Sequence, residues 1–426
     1  MNEENLSTTA APLGQRGSLL SGVVVLDLTR FLAGPFASMI LADQGATVIK
    51  VEPLTGDTTR YQAPYFFDGD SAYFLSINRN KKSLAIDIRS PQGREILDRL
   101  IAKSDIILDN LRAPQRERLR LTYEHLEKVN PQIVSCSLTG FGSEGPYADR
   151  PAYDIIVEAL GGVMSLTGPE GGPSVKAGVP IGDITAGLYA TIGVLSGLEY
   201  RKQHGKGVHI DISMLDSQIS LLSYLAQYFF ISGVVPKHQG RAHVSIPTYN
   251  TFVTKDDREI VIAANTQQMW ISLCDVLSRP ELVDDPRFRA NKDRLVHRDD
   301  LIEILQAEFA RWDCDDIYAA LVDHEVPAAP INNTEAALSD PQVRLRDMVV
   351  SVRHRRGKEF LTVGTPIKSD TESGGEFFSP PELGGDVAEV MAALGYTDQE
   401  QAAFAAAGVI KLGEEREAVE PQSTGE

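Results

Sequence analysis

The clearest candidate for chemistry is Asp183, which stands between a turn of small residues and a long apolar run. The surrounding segment, Lys176 to Arg201, reads KAGVPIGDITAGLYATIGVLSGLEYR, and no lysine or arginine lies within six positions of this acid. The run predicts a buried helix with Asp183 at its N-terminus, where a carboxylate caps the free N–H groups of the first turn. Those groups and the helix dipole also keep a carboxylate ionised, and an ionised carboxylate is a nucleophile. Position alone favours capping, and the two roles are compatible.

A second candidate is the stretch between Arg79 and Arg120, where basic residues are dense although the chain has a formal net charge of −18. Residues 94–103 are typical of a solvated helix face, because arginines and acids alternate there at i,i+4 spacing. No such pairing accounts for the four arginines crowded into the polar segment 112–120. Positive potential on an otherwise acidic protein predicts that a small polyanion binds at this segment.

Composition limits the class of protein. The chain has 426 residues, 42% hydrophobic and 23% charged, which is typical of a soluble globular protein with two domains. The N-terminus lacks the features of a signal peptide, and the apolar run Ile184–Leu198 is too short and interrupted to span a membrane. Three separated cysteines indicate reduced buried thiols. We therefore expect a cytoplasmic protein with no nucleic-acid or membrane partner and no metal site.

The elements that position Asp183 follow an alternating pattern. GVVVLDLTR reads as a buried strand, FASMILADQG as a helix ending at Gly45, and ATVIKVE as the next strand. Further strands and helices alternate as far as IVSCSLTGFG, which predicts an α/β fold with a Rossmann-like parallel sheet. LTRFLAGPF replaces the glycine fingerprint after the first strand, so a standard dinucleotide site is not expected.

The residue composition and pattern change near Asp216, after which come a segment rich in aromatic residues and then a hairpin pattern. We predict a large α/β domain over 18–222 and a small α+β domain over 223–335. A C-terminal segment, 336–410, returns to the large domain. The ends, 1–17 and 411–426, are predicted to be flexible tails.

Eight motifs occur in order between about residues 20 and 410. They are VLDLTRFLAGPF, LADQGATVIKVE, GDTTR, AYFLSINRNKKSLAIDI, LTGFGSEGPY, PIGDITAGLYA, GKGVHIDISMLDS and VPAAPINNTEAAL. Together they resemble the class III CoA-transferases, the formyl-CoA transferase group that also contains the α-methylacyl-CoA racemases. The resemblance implies an interlocked homodimer, with each chain threaded through the other.

The resemblance implies that Asp183 is the nucleophile. In the family, this carboxylate attacks an acyl-CoA thioester to give a mixed anhydride and free CoA thiolate. The thiolate then forms an aspartyl-CoA thioester and releases the first acid, and an acceptor acid reverses the steps. Coenzyme A is thus a substrate, and no cofactor is implied.

The resemblance also implies the residues that bind CoA. Phe31, Leu32 and Ala33 occupy the turn that approaches the pantetheine arm and the nucleophile. Leu32 stands where formyl-CoA transferases have Gln, so backbone N–H groups would have to stabilise the oxyanion. Pro53 stands where a family member has a basic CoA contact. The positions that hold adenine and phosphates are Ile86, Arg89, Asn110, Leu111 and Arg118, with Arg112 as an addition.

Arg150 and Tyr153 fall where the family lines the acyl end of the pocket. Tyr153 occupies the position of a racemase histidine, and a racemase needs two acid/base groups, so this substitution disfavours racemisation. A plain core aromatic is the alternative for Tyr153. An acyl-CoA racemase or isomerase of the same fold, and a non-catalytic acyl-CoA-binding protein, are the alternatives to a transferase.

The segment GRAHVSIPTYNTF bears on the substrates. Within the family it is most similar to transferases that use succinyl-CoA and C4–C6 dicarboxylates, while the glycine-rich loop of formyl-CoA transferases is absent. A distal carboxylate needs a cation, and Arg241 and His243 are the candidates, with Arg150 able to serve instead. His209, inside the strand VHIDIS, is interpreted as structural.

Overall fold

The computed structural model describes residues 19–238, 240–370 and 377–413, and the fold is described for these residues. The strands are β1 (Val24–Asp27), β2 (Thr47–Glu52), β3 (Phe66–Phe67), β4 (Asp70–Ser71), β5 (Lys81–Ile86), β6 (Ile106–Asp109), β7 (Val134–Thr139), β8 (Val208–Ser213), β9 (Tyr249–Val253), β10 (Glu259–Ala263), β11 (Ala328–Pro330), β12 (Val349–Arg353), β13 (Glu359–Val363) and β14 (Ile410–Lys411). The helices are α1 (Ala33–Asp43), α2 (Ala72–Ile77), α3 (Pro91–Ala102), α4 (Ala113–Arg118), α5 (Tyr123–Val129), α6 (Asp154–Leu160), α7 (Val163–Leu166), α8 (Ile181–His204), α9 (Met214–Leu221), α10 (Ser223–Ser232), α11 (Gln267–Val276), α12 (Glu281–Asp284), α13 (Asn291–Val296), α14 (Arg298–Phe309), α15 (Cys314–Asp323), α16 (Thr334–Ser339), α17 (Pro341–Leu345), α18 (Val387–Ala393) and α19 (Asp398–Ala406), with a 3₁₀ helix at Thr58–Tyr61.

The main sheet of the described chain has seven strands in the order β14-β5-β2-β1-β6-β7-β8. Strand β14 is antiparallel to β5, and the other neighbouring pairs are parallel. Because crossover helices cover both faces of a parallel sheet, its central strands are buried on both sides. Strands β2 and β7 are buried along their whole length. The predicted Rossmann-like α/β fold is confirmed.

Alternate residues of the central strands pack into two separate hydrophobic clusters. Leu26 and Ile107 belong to a cluster that includes residues of α3 and α18, whereas Val25 and Ile106 belong to one that includes residues of α1 and α8. Successive side chains of a strand point to opposite faces, so the two clusters lie on opposite faces of the sheet. Helix α8, which carries Asp183, therefore packs on the same face as α1.

The described chain divides into two compact units. The first comprises the described parts of 1–162, 178–223 and 347–426, and it contains the seven-stranded sheet. The second comprises the described parts of 163–177 and 224–346, with a three-stranded antiparallel sheet and a core built around Trp270. The sequence analysis placed the small domain at 223–335, without the segment 163–177.

The long helix α8 has 24 residues, and by length and composition alone it could cross a membrane. The expectation that the apolar run was too short was therefore wrong, because the helix continues beyond the run. Such a helix is weak evidence for a membrane span, since core helices of soluble proteins share these properties, and 44% of its apolar window is buried in the protein. Gly187 lets α8 pack closely on α1, because a Cβ there would lie 2.7 Å from the Ala33 carbonyl oxygen.

The predicted tails fall mostly outside the described residues. Residues 1–17 and 414–426 are not among them, so the prediction of flexibility there stays a prediction. Lys411, the first residue of the predicted C-terminal tail, lies in β14, where it pairs with Ala85 of β5.

Candidate active site

Asp183 is the third residue of α8, which begins at Ile181. Pro180 occupies the N-cap position, and no side chain at that position makes a capping hydrogen bond. The prediction that Asp183 itself caps the helix was therefore wrong. Its carboxylate is left for another role, although it does lie in the first turn.

The capping function belongs to Asp154, the first residue of α6. Its Oδ1 atom accepts hydrogen bonds from the backbone N–H groups of Gly182 (2.7 Å) and Asp183 (3.2 Å). This contact requires glycine at 182, because a Cβ there would lie 2.9 Å from both Asp154 Oδ1 and Val157 Cγ2. Asp154 was not predicted from the sequence, although it follows Tyr153 directly in RPAYDIIVEALGG.

The electrostatic environment raises the pKa of Asp183 to about 7. Burial is the main cause, the negative charge of Asp154 adds to it, and a hydrogen bond from the backbone N–H of Ala33 acts in the opposite direction. The expectation that a helix N-terminus keeps this group fully ionised was therefore incomplete. Near neutral pH the carboxylate and the acid are both populated, and the carboxylate is more basic than an exposed one.

The turn before α1 brings backbone donors to Asp183. Leu32 is the N-cap of α1 and makes no side-chain cap, so the first N–H groups of this helix are available to a partner. One of them, the N–H of Ala33, lies close enough to the Asp183 carboxylate to lower its pKa and favour the charged form. Phe31 precedes this point with a left-handed φ of 64°, and the edge of its ring meets the ring of Tyr153 at 6.2 Å. Because Leu32 has no polar side chain, the hydrogen-bond donors on this side of Asp183 are backbone N–H groups.

Tyr73, on the short helix α2, also faces this site and was missed by the sequence analysis. Burial raises its pKa to about 12, and the charges of Asp183, Asp57 and Asp154 contribute. The hydroxyl therefore remains protonated and able to donate a hydrogen bond near neutral pH. Its motif, AYFLSIN, was recognised, but no local pattern singles out its tyrosine.

A cavity of about 410 Å³ brings most of the predicted residues together. It is lined by Asp183 and Tyr73, and by the predicted Phe31, Leu32, Ala33, Arg89, Asn110, Leu111, Arg112, Arg118, Arg150 and Tyr153. Ile86 lines an adjoining cavity of about 320 Å³, which shares Arg30, Arg89, Leu111 and Leu119 with the first. The two form a groove from the Asp183 carboxyl to a slot between apolar side chains. Tyr153 is 64% exposed, so the alternative of a core aromatic was wrong.

The arginines of the basic stretch differ in their burial and in their contacts. Arg89 and Arg118 line the groove, and with Arg120 they also line an open cavity at the start of α3. Arg116 is instead buried, where it donates to the hydroxyls of Ser137 and Ser143 (both 2.6 Å). The predicted i,i+4 pairs of the solvated face are present, Arg94 with Asp98 and Arg99 with Glu95.

The candidate cations for a distal carboxylate lie in different units. Arg150 lines the cavity of Asp183 in the first unit, and its guanidinium lies 3.8 Å from the ring centre of Tyr147. Arg241 belongs to the second unit and forms an ion pair of 2.5 Å with Glu259. His243, in the same unit, stacks on Tyr249 at 5.6 Å.

Other polar candidates have structural partners. The Nδ1 atom of His209 lies 2.7 Å from the hydroxyl of Ser135, in agreement with its structural interpretation. Among the described residues, no group of three or more His, Cys, Asp or Glu side chains is arranged to hold a metal ion. The free thiols that were expected to be buried are buried, and they are Cys136, Cys274 and Cys314.

A Rossmann-like sheet, a helix N-terminus that presents a carboxyl and a groove rich in arginine fit an enzyme that acts on a phosphate-bearing substrate. The model of CoA-transferase family III matches residues 20–387, so the chain belongs to this family and is a CoA-transferase. It is 38% identical over 393 residues to the succinyl-CoA:glutarate CoA-transferase of Homo sapiens, covering 92% of this chain and 90% of that protein.

Two further relatives agree with this assignment. The succinate–glutarate CoA-transferase of Agrobacterium fabrum is 38% identical over 383 residues, which is 88% of this chain and 95% of the relative. The crystal structure of a CAIB/BAIF family protein from Brucella suis superposes with a TM-score of 0.79 at 36% identity, covering 89% of this chain and all of the other. The fold and the family predicted from the motifs are confirmed.

Proposed function

We propose that the protein transfers coenzyme A from succinyl-CoA, or a related dicarboxylyl-CoA, to a free C4–C6 dicarboxylate, with Asp183 as the covalent nucleophile. One observation carries the chemical part of this proposal. The Asp183 carboxyl lines the cavity, has a raised pKa and receives the Ala33 backbone N–H. The names of the relatives, which pair succinyl-CoA or succinate with glutarate, support the substrate class.

The proposed reaction begins when an Asp183 oxygen attacks the thioester carbonyl of the donor. The C–S bond breaks, CoA leaves as a thiolate, and a mixed anhydride remains on the enzyme. The thiolate then attacks the aspartyl carbonyl, which breaks the anhydride C–O bond and releases the donor acid as a carboxylate. The acceptor carboxylate attacks the resulting aspartyl-CoA thioester, which forms a second mixed anhydride and releases the CoA thiolate. The thiolate then attacks the acceptor's carbonyl carbon, which breaks the anhydride C–O bond, gives the new acyl-CoA and returns the Asp183 carboxylate. No proton is gained or lost over the cycle.

The geometry favours this chemistry in two ways. A carboxylate whose pKa is raised by burial and by Asp154 is a stronger nucleophile than an exposed one, provided that it is deprotonated. In this proposal, backbone N–H groups at the start of α1, where Leu32 and Ala33 line the cavity of Asp183, stabilise the negative charge that develops on the attacked carbonyl oxygen. Fixed backbone donors of this kind stabilise such an oxyanion without reorganisation.

The distal carboxylate of the dicarboxylate is proposed to bind Arg150. This arginine lines the same cavity as Asp183, whereas the charge of Arg241 is already paired with that of Glu259. In the same proposal the phosphates of CoA contact Arg89, Arg112 and Arg118, and adenine lies near Ile86. Coenzyme A enters as a substrate, and no resident cofactor takes part.

The nucleophile is tested with Asp183→Asn, Asp183→Ala and a matched control, Asp216→Asn. Asp216 is the third residue of α9, as Asp183 is of α8, and its side chain is exposed. We expect both Asp183 variants to fold and to lose transfer, and the control to keep wild-type transfer. Incubating the wild type with succinyl-CoA and hydroxylamine should leave a hydroxamate on Asp183 in peptide mapping. Transfer at the wild-type rate in Asp183→Asn would refute the mechanism.

We also propose that the active form is a homodimer, interlocked as the resemblance implies. Side chains of α8 (Leu188, Tyr189 and Ile192) and of α10 (Phe230 and Ile231) are exposed. Exposed apolar side chains that are neighbours on one helix, as on each of these two, mark an interface more often than free surface. Sedimentation equilibrium should show a dimer at all concentrations that support activity, and a stable, active monomer would contradict this.

A further inference from the structure

A network of charged side chains is buried beside the turn that faces Asp183. It comprises Asp27 at the end of β1, Lys50 in β2, Lys81 at the start of β5, and Asp57; each side chain is at most 1% exposed. Lys81 pairs with Asp27 at 3.2 Å, and Lys50 pairs with Asp57 at 2.9 Å. Burying an ion pair adds little net stability compared with apolar residues of similar volume, so such a network indicates that one conformation is being specified.

The network holds the beginning of the 29–35 turn through Thr29. Oδ1 of Asp27 accepts the backbone N–H of Thr29 at 2.9 Å and also its hydroxyl. The Nζ atom of Lys50 donates to the Thr29 carbonyl oxygen, also at 2.9 Å. The N–H, hydroxyl and carbonyl of this residue are thus all bonded to buried charged groups.

The network also holds the end of the same turn. The Nζ atom of Lys81 donates to the Pro35 carbonyl oxygen at 2.9 Å and to Oδ1 of Asn78 at 2.9 Å, in addition to its pair with Asp27. The other oxygen of Asp27 accepts the hydroxyl of Ser38, one turn further along α1, at 2.6 Å. The 29–35 turn is therefore bonded at both ends to one connected set of charges.

Between these two ends lie the groups that face Asp183. Phe31 holds its left-handed φ of 64°, a conformation that costs a non-glycine residue free energy and persists only when its surroundings enforce it. Two residues later, Ala33 lines the same cavity as Asp183, and its backbone N–H favours the charged form of the Asp183 carboxylate. Gly34 packs directly against Thr29, since a Cβ at 34 would lie 2.3 Å from the Thr29 side chain. Any shift of Thr29 would therefore displace the backbone that carries the Ala33 donor.

We propose that Asp27, Lys50 and Lys81 are positioning residues for the transfer reaction: they set the 29–35 turn so that its backbone N–H groups meet Asp183 and the carbonyl under attack. This inference rests on the proposed role of Asp183 as the nucleophile. It predicts that weakening the network slows the formation of the covalent adduct while leaving the affinity for the CoA moiety nearly unchanged.

The first test compares Lys81→Met with Arg79→Met. Both variants remove one buried cation from an ion pair, but the Arg79–Asp43 pair has no contact with the 29–35 turn among its described hydrogen bonds. The readouts are the single-turnover rate of adduct formation with succinyl-CoA, by mass spectrometry, and the Kd of desulfo-CoA, by calorimetry. We expect Lys81→Met to lower the rate at least about tenfold, because a small misplacement of a reacting group has an effect of that size. The Kd of desulfo-CoA for Lys81→Met, and the rate of adduct formation in Arg79→Met, should each change by less than about threefold on the same scale.

A milder test covers the case in which Lys81→Met does not fold. Thr29 and Thr59 each donate their N–H and hydroxyl to Oδ1 of the aspartate two residues earlier, Asp27 and Asp57, and both are buried. Thr29→Val should slow adduct formation severalfold. Thr59→Val loosens only Asp57 on the far side of Lys50 and leaves the hydrogen bonds of the turn itself in place, so its effect should be clearly smaller.

Equal effects of Thr29→Val and Thr59→Val, or a full rate in Lys81→Met, would overturn the inference while the nucleophile still stands. Absence of any adduct in the wild type would instead refute the proposed function.

Discussion

Two buried aspartates of the same unit have opposite electrostatic environments. Asp27 is surrounded by Lys81, Lys50 and two hydroxyl donors, and together they hold its pKa far below the usual range although burial alone would raise it. Asp183 has one backbone donor and the negative Asp154 beside it, and its pKa is raised to about 7. The comparison shows that burial by itself does not decide the role of a carboxylate. The partners of each carboxylate decide its charge: those of Asp27 hold it ionised inside the fold, and those of Asp183 leave it able to gain or lose a proton near neutral pH.

The largest expected effect is on stability, and it should have opposite signs at the two sites. Asp27→Asn leaves Lys81 buried without its counter-charge, and loss of one member of a buried pair costs about 3–5 kcal/mol of unfolding free energy. Asp183→Asn removes a buried charge that has no cationic partner among the causes of its pKa shift, so at pH 8 it should be at least as stable as the wild type. Urea denaturation at one protein concentration measures both.

The pH dependence of these two effects follows from the direction of each pKa shift. Because the folded-state pKa of Asp183 lies above its unfolded value, the cost of its charge is absent below about pH 4 and complete above about pH 7. The advantage of Asp183→Asn should therefore disappear in acid. Asp27 has the reverse shift, so the stability that it contributes is present above its unfolded pKa and is lost in acid. Destabilisation by Asp183→Asn at pH 8 would contradict the opposite signs that we expect for the stability effects at Asp183 and Asp27.

The next effect concerns the pH–rate profile. Adduct formation should rise with pH through an apparent pKa of about 7, since the carboxylate form of Asp183 attacks. Asp154→Asn keeps an oxygen that can cap α8 but removes the negative charge, so the apparent pKa should move to lower pH. The variant should be relatively faster at pH 6 and slower at pH 8, because a less basic carboxylate is a weaker nucleophile. Tyr73, with a pKa of about 12, should not contribute to this profile.

Asp154→Ala is the matched control for that profile. It removes the cap as well as the charge, so it should be slower at every pH and less stable, by about 1 kcal/mol on the scale of other N-cap losses. An unchanged apparent pKa in Asp154→Asn would show that burial alone sets the pKa of Asp183.

A smaller effect should distinguish the two candidate arginines. Arg150→Ala should reduce the preference for succinate over butyrate about tenfold, as loss of a charge-assisted hydrogen bond does. Arg241→Ala should change it less, because Glu259 already pairs with this residue. The measurement is kcat/KM for both acids in the wild type and in each variant. Equal preferences in all three proteins would remove both arginines from the acceptor site.

The smallest effect is expected at the thiols. Burial raises the pKa of Cys136, and the neighbouring charges of Asp109 and Asp211 act in the same direction, so its thiolate is scarce near neutral pH. The native protein should therefore lose little activity on treatment with iodoacetamide. Rapid inactivation, with Cys136 labelled in peptide mapping, would show that this part of the core opens.

The sequence by itself determined the alternation of strands and helices, the family and the candidate nucleophile. These depend on local periodicity and on short motifs in a fixed order, which are properties of neighbouring residues. Asp183 was found in this way, and so were the turn at Phe31–Ala33 and the groove positions Arg89 and Arg118. Local patterns also predicted the i,i+4 ion pairs of Arg94 and Arg99; Arg99 lies on a solvated helix face as expected, whereas the Arg94 side chain is only 18% exposed.

Only the tertiary structure decided which partners these groups have. Asp154 lies 29 residues from Asp183 in the chain, yet it caps the helix that Asp183 was expected to cap. Arg116 and Lys81 belong to the same basic stretch as Arg118, but the fold buries the first two and leaves the third in the groove. The physical reason is that a pKa shift or an ion pair depends on distance and burial. Both are set by the packing of segments that are remote in sequence, and no local pattern records that packing.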